Sequence, residues 1–172
     1  KILTCGEGGM LVTGDAELAR RARLFISNSF AEPRFIHQSL GFNFRLSNLQ
    51  AAVGLAQAEH LAEAVARKRA LAARYLARLR GCPALQLPVE RPGATNVYWM
   101  FGIVLTERAV RNKDEVMREL AAQGIETRSF FYPMHEQPVF QNGGDPRYPG
   151  VNGLWPVSAR LGARGLYLPS GL

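Results

Sequence analysis

Ser47 and Gln50 stand three residues apart at the head of the longest helical pattern in the chain, and no other feature constrains the fold as much. A serine hydroxyl and a glutamine amide at this spacing can satisfy two orphan donors of a helix start reciprocally, so a helix is predicted to begin there. Leu49, Ala52, Val53 and Ala56 then recur at steps of three and four, while alanine at 51, 52, 56 and 58 permits close packing. From Leu61 to Leu79 the pattern continues through Val65, Ala72, Tyr75 and Leu76, which predicts one long helix or two with a bend. Gly81-Cys82-Pro83 ends it, because proline lacks the amide donor that a helix needs. Residues 83–95, with Pro83, Pro88, Pro92 and Gly93, read as a linking stretch.

Ahead of this helix, the apolar runs Ile2–Thr4 and Met10–Thr13 flank a glycine-rich stretch and predict two strands joined by a tight turn, with Lys1 at a sheet edge. Asp15 is placed to cap a helix running to about Ile26. Residues 27–44, with Asn28, Pro33 and Gly41, have no steady period and read as an irregular connection of a length that is often functional. Beyond the linker, Val97–Leu105 suits a strand buried on both faces, with Tyr98, Trp99 and Met100 as core residues. Asn112 with Glu115 marks another capped helix, Val116 and Leu120 its inner face, and Gly124 its end. Ile125–Phe131 reads as a further strand, and residues 133–156 are loop-rich. The strand–helix–strand order predicts an α/β unit.

Composition bounds the function. At 172 residues, 47% hydrophobic and 20% charged, the chain can bury a core, and no apolar run reaches the roughly 18 residues of a membrane span. Its net charge of +7 raises nucleic-acid binding, which is driven by clustered cations. Yet Arg20, Arg21, Arg23 and Arg67, Lys68, Arg69 sit on helical patterns without interleaved aromatics, and read as solvated faces. His37, His60 and His135 are scattered, so no metal-ligand spacing emerges. Cys5 and Cys82 form no redox motif and suit a reducing cytoplasm, although a bridge between them stays open.

Taken singly, Lys1 is a surface charge and Gly6-Glu7-Gly8-Gly9 a turn. Together with three further blocks they carry more. Lys1-Ile2-Leu3-Thr4-Cys5-Gly6-Glu7-Gly8-Gly9-Met10 resembles the lysine segment of the DegT/DnrJ/EryC1/StrS family of sugar aminotransferases, which use pyridoxal 5'-phosphate. The stretch from Gly41 to Gln57, beginning Gly41-Phe42-Asn43-Phe44-Arg45-Leu46-Ser47, is similar to that family's helix-entry signature. Gly124-Ile125-Glu126-Thr127-Arg128-Ser129-Phe130-Phe131-Tyr132-Pro133-Met134-His135 resembles its substrate-side segment, and Gly165-Leu166-Tyr167-Leu168-Pro169-Ser170-Gly171 its closing motif.

The resemblance implies an α/β fold type I pyridoxal phosphate transferase. Residues 1–80 would be the rear of its large domain and residues 81–172 its small C-terminal α/β domain. Family members are longer at both ends, so it also implies a fragment that is inactive alone. Lys1 matches the lysine that holds the cofactor as a Schiff base and carries protons. Asn43 matches a position directed at the cofactor phosphate from the partner of a homodimer, and Arg45, next to it on the same alternating face, could do likewise; Asn43 could instead set a turn and Arg45 pair on the surface. Arg128, Tyr132 and His135 match the sugar-nucleotide side; Arg128 could instead pair with Glu126, and His135 could be a satisfied loop residue. Gln50 is expected to be a cap. The wording Asn96-Val97-Tyr98-Trp99-Met100 looks like the subgroup acting on a GDP-linked 4-keto-6-deoxy sugar in polysaccharide and O-antigen synthesis, with glutamate as amino donor. Two rivals stand beside this reading: a non-catalytic regulatory or interaction protein of the same fold, and a basic domain that binds anions.

Overall fold

Asp15 opens the first helix as its sequence predicts. Its Oδ1 accepts from the amides of Glu17 and Leu18 at 2.9 and 3.1 Å, and α1 runs Ala16–Ile26. The computed structural model describes residues 2–141, 147 and 153–171, and the chain divides into two compact units, Lys1–Ala62 and Glu63–Leu172.

In the first unit the capping box at Ser47 and Gln50 is closed in both directions and starts α2, Asn48–Glu59. The long helical pattern is two helices, since His60 interrupts it before α3, Leu61–Leu79. Residues 27–44 form an ordered connection without helix. Ser29, buried and with φ +53, donates to Leu40 O at 3.1 Å, and His37 Nδ1 meets Asn28 O at 2.6 Å. The strands expected at 2–4 and 10–13 are absent among the described residues. Arms of three and four residues with no third strand beside them among the described residues are marginal, and Met10 and Val12 stay exposed.

The second unit is built on a four-stranded sheet: β1 (Leu85–Gln86), β2 (Phe101–Leu105), β3 (Arg128–Ser129) and β4 (Gly165–Leu168), in the order β1-β2-β4-β3. β2 and β3 both pair antiparallel with β4 and so run the same way. The β2–α4–β3 passage, with α4 at Lys113–Ala122, is therefore a crossover that leaves a slot for β4. The α/β expectation holds in this split form. α4 begins at the predicted Asn112–Glu115 capping box, and Gly124, φ +76, follows its end. α5, Pro156–Arg164, leads directly into β4 and had no counterpart in the sequence reading.

The strands are shorter than their apolar runs. Tyr98 lies in the left-handed region at φ +47, and its amide bonds Asn96 Oδ1 at 2.8 Å, so a side-chain acceptor replaces a strand partner there. β2 consequently starts at Phe101. Tyr98 is buried as predicted, but Trp99 is 40% exposed and is not core. β3 keeps only two residues because it is an edge with a single neighbour. β1 lies inside the supposed linker, held by Leu85 opposite Leu105.

One sheet face carries Phe101, Ile103, Leu105 and Leu166, all buried, against Ala72, Tyr75, Leu76 and Leu79 of α3 and Val116, Met117 and Leu120 of α4. Each such large side chain contributes roughly 1.5–3 kcal/mol by leaving water. Lys68 corrects the expectation of a solvated cation. It lies one turn before Ala72 on the inner face of α3, is buried, and donates its ammonium to the carbonyl of Ser170. Tyr75 donates to Pro169 O at 2.9 Å, so two rungs from α3 hold the segment that follows β4.

Candidate functional site

Lys1 lies outside the described residues, as do 142–146, 148–152 and Leu172. The turn behind it is well defined. Gly6 has φ +86, and its amide bonds Thr4 Oγ1 at 3.2 Å. A Cβ on Gly8 would fall 2.7 Å from Leu46 Cδ2 and 2.8 Å from Cys5 Sγ at φ +156, so only glycine fits. Gln50 both caps α2 and donates Nε2 to Glu7 O at 3.2 Å, tying the turn to the helix start. Cys5 and Cys82 are free thiols.

Asn43 and Arg45 lie on an extended segment stitched to the end of α1. Phe42 N bonds Phe25 O at 2.7 Å, Phe44 N bonds Ile26 O at 3.0 Å, and Asn43 forms a bridge with Ser27. Phe42 and Phe44 stack with centroids 5.0 Å apart and both meet Phe25, and Asn43 and Arg45 alternate with them along the extended chain. Both are exposed, and neither side chain has a hydrogen-bond or ion-pair partner among the described residues.

Arg45 and Arg23 line a cleft of about 860 Å³ walled by Met10, Leu11, Val12 and Phe25. No carboxylate lines it. Its two guanidinium groups fit a phosphate anion, Thr13 adds a hydroxyl to the lining, and Asn43 adds an amide outside it. Arg23 was missed by the sequence reading, although Ala19, Ala22, Arg23 and Ile26 share one face of α1 by helical spacing and all line the cleft.

In the second unit, Arg128 stands on β3 opposite Tyr167. It does not pair with Glu126. Its guanidinium carbon lies 5.1 Å from the centroid of Phe131, a residue the sequence reading left without a role. Tyr132 is exposed. His135 sits in a 3-10 turn, Met134–Glu136, with Nε2 3.6 Å from Glu136 Oε1 and its ring 6.2 Å from that of Trp155. No hydrogen bond, ion pair or ring contact joins Arg128, Tyr132 and His135 to one another. Among the described residues no cluster of three potential metal ligands occurs, and no helix is long and apolar enough to cross a membrane.

A polar cluster stands at the entry to β2. Arg69 Nη1 donates to Asn96 O at 2.6 Å and to both Glu90 oxygens at 3.1 and 3.2 Å, and Tyr98 OH approaches Glu90 Oε2 at 3.5 Å. Burial, then the Glu90 carboxylate, pushes the Tyr98 phenol above its ordinary value.

Residues 1–171 match the DegT/DnrJ/EryC1/StrS aminotransferase family. The chain is 34% identical over 171 residues to the GDP-perosamine synthase of Escherichia coli O157:H7, covering 99% of this chain and 44% of that protein. It is 37% identical over 173 residues to the dTDP-3-amino-3,4,6-trideoxy-alpha-D-glucose transaminase of Streptomyces venezuelae, covering 99% and 43%. Among solved structures, S. venezuelae DesV in complex with a ketimine intermediate superposes with a TM-score of 0.79 at 34% identity, covering 93% of this chain and 40% of that one. The chain thus spans less than half the length of the relatives it matches. The family's aminotransferases depend on pyridoxal phosphate, and the architecture is that of its members. Over all but its last residue, this chain belongs to the DegT/DnrJ/EryC1/StrS aminotransferase family.

Proposed function

We propose that the protein, at full length, is a pyridoxal phosphate aminotransferase that moves an amino group from glutamate to a nucleotide-linked 4-keto-6-deoxy sugar, as a GDP-perosamine synthase would. The observation that carries this reading is similarity along the whole chain to enzymes named for amino transfer to sugar nucleotides. Bound pyridoxal phosphate supplies an electron sink for charge that develops beside the transferred nitrogen. The chain's own residues do the rest. Lys1 bonds the cofactor through its side-chain nitrogen and, once freed, carries a proton in each half of the reaction. Asn43 and Arg45 donate to the cofactor phosphate, supported by their exposed, unpartnered donors. Arg128, Tyr132 and His135 face the sugar nucleotide.

In this reading residues 1–80 complete a large cofactor domain and residues 81–172 form most of a small one. The enzyme works in the cytoplasm as a homodimer, each subunit lending Asn43 to its neighbour's site, and the 172-residue stretch alone is inactive. Borohydride reduction of the full-length protein, followed by peptide mapping, should place a pyridoxyl group on Lys1. The same protein should lose its visible absorbance on adding glutamate and release 2-oxoglutarate. An untagged Lys1 together with silence toward glutamate would overturn the proposal.

A further inference from the structure

We propose that Arg128, whose guanidinium lies over the ring of Phe131, grips the diphosphate of the nucleotide sugar, and that Phe131 is the residue that positions it. This rests on the function proposed above and assigns one substrate group to one side chain.

The support is a built aromatic ledge. Phe130 stacks on Tyr167 with centroids 4.4 Å apart, and Phe131 meets the same tyrosine edge-on at 6.3 Å. The ring of Phe130 lies against two glycines on neighbouring strands. A Cβ on Gly102 would come within 2.8 Å of Phe130 Cζ, and one on Gly165 within 2.2 Å of its Cδ2. Any larger residue at either position would lift the ledge off the sheet. Arg128, opposite Tyr167 in register, lies over the last ring.

A guanidinium drawn to a ring by cation–π attraction gives up none of its N–H donors to a hydrogen bond. No acceptor takes them among the described residues; Glu126, the nearest carboxylate in sequence, forms no pair with it. The result is a fork of donors beside an aromatic ring that consumes none of them, in the unit that carries most of the chain's +7 charge. Two parallel donors match two phosphate oxygens. Glutamate also carries carboxylates, and the half-reaction with glutamate is the control that separates the two ligands.

The test uses the full-length, cofactor-loaded enzyme and four variants. Arg128→Ala should weaken GDP and dTDP binding, measured by calorimetry without turnover, by about ten- to a hundredfold, the range of lost charge-assisted hydrogen bonds. It should raise the KM for the nucleotide sugar in parallel, and by more than it changes the glutamate half-reaction. Arg128→Lys should recover only part, because an ammonium keeps the charge without the fork. Phe131→Leu should weaken nucleotide binding about two- to fivefold with little change in kcat, and Phe131→Tyr should restore it. If Arg128→Ala binds GDP and dTDP as well as the unsubstituted enzyme, the inference is wrong, and a normal glutamate half-reaction would leave the function itself standing. A raised KM for glutamate with nucleotide affinity intact overturns it in favour of carboxylate binding. Should the unsubstituted enzyme fail with glutamate, the function falls, while the calorimetry still decides whether Arg128 holds a diphosphate.

Discussion

The two units use the same local grammar but differ in what they bury. α1 and α2 in the first unit and α4 in the second each begin at a side-chain cap that accepts from first-turn amides, at Asp15, Ser47 and Asn112. Yet among the described residues of the first unit Ser29 alone is buried, and Leu49, Met10 and Val12 are more than 80% exposed. The second unit closes Phe101, Ile103, Leu105 and Leu166 against α3 and α4. Caps act within one turn and need no tertiary partner; burial requires a complementary surface brought from far along the chain. Where a helix starts and where a core forms are therefore set separately in this protein.

The sharpest test of that separation is a pair of leucines. Leu166→Ala, at a site with no solvent exposure, should cost about 2–5 kcal/mol in denaturant unfolding. Leu49→Ala, 82% exposed on α2, should cost about 0.5 kcal/mol or less. Equal losses would mean that the first unit hides a core as deep as the second. Caps should show the opposite behaviour: Asp15→Ala and Asn112→Ala should each cost about 1 kcal/mol, irrespective of unit. A large difference between them would show that caps borrow strength from tertiary packing after all.

The smallest effect is confined to alkaline pH. The raised Tyr98 phenol means that the unfolded chain releases this proton at lower pH than the folded one. Its contribution is fully present below the ordinary value of 10.0 and is lost as pH rises through the folded value. Tyr98→Phe should flatten the alkaline limb of a stability profile measured from pH 8 to 11, about the span in which a tyrosine titrates. An unchanged limb would show that Glu90 and burial do not act on Tyr98 as the geometry indicates.

Features written in a few adjacent residues were legible. Asp15, the Ser47–Gln50 box, the Asn112–Glu115 box and Gly124 all mark helix ends where expected. Sheet limits were not. An apolar run from Val97 reads as strand throughout, but Asn96 captures the Tyr98 amide and Trp99 turns outward, a competition between side chain and ladder that no period reveals. β1 is too short to announce itself, and α5 went unread although it delivers β4 to the sheet centre. At the site, Asn43, Arg128, Tyr132 and His135 were named by resemblance, and Arg45 by its alternation with Asn43. Arg23 and Phe131 gain their interest only from what lies beside them in space.

By itself the sequence determined the helix starts and the family, because each is recorded in local chemistry or in ordered blocks of residues. Only the tertiary structure decided that β4 enters between β2 and β3, that Lys68 is buried against the carbonyl of Ser170, and that Arg128 rests on Phe131 rather than pairing with Glu126. These depend on which distant segments meet, and a side chain's partner is set by that meeting rather than by its neighbours in sequence.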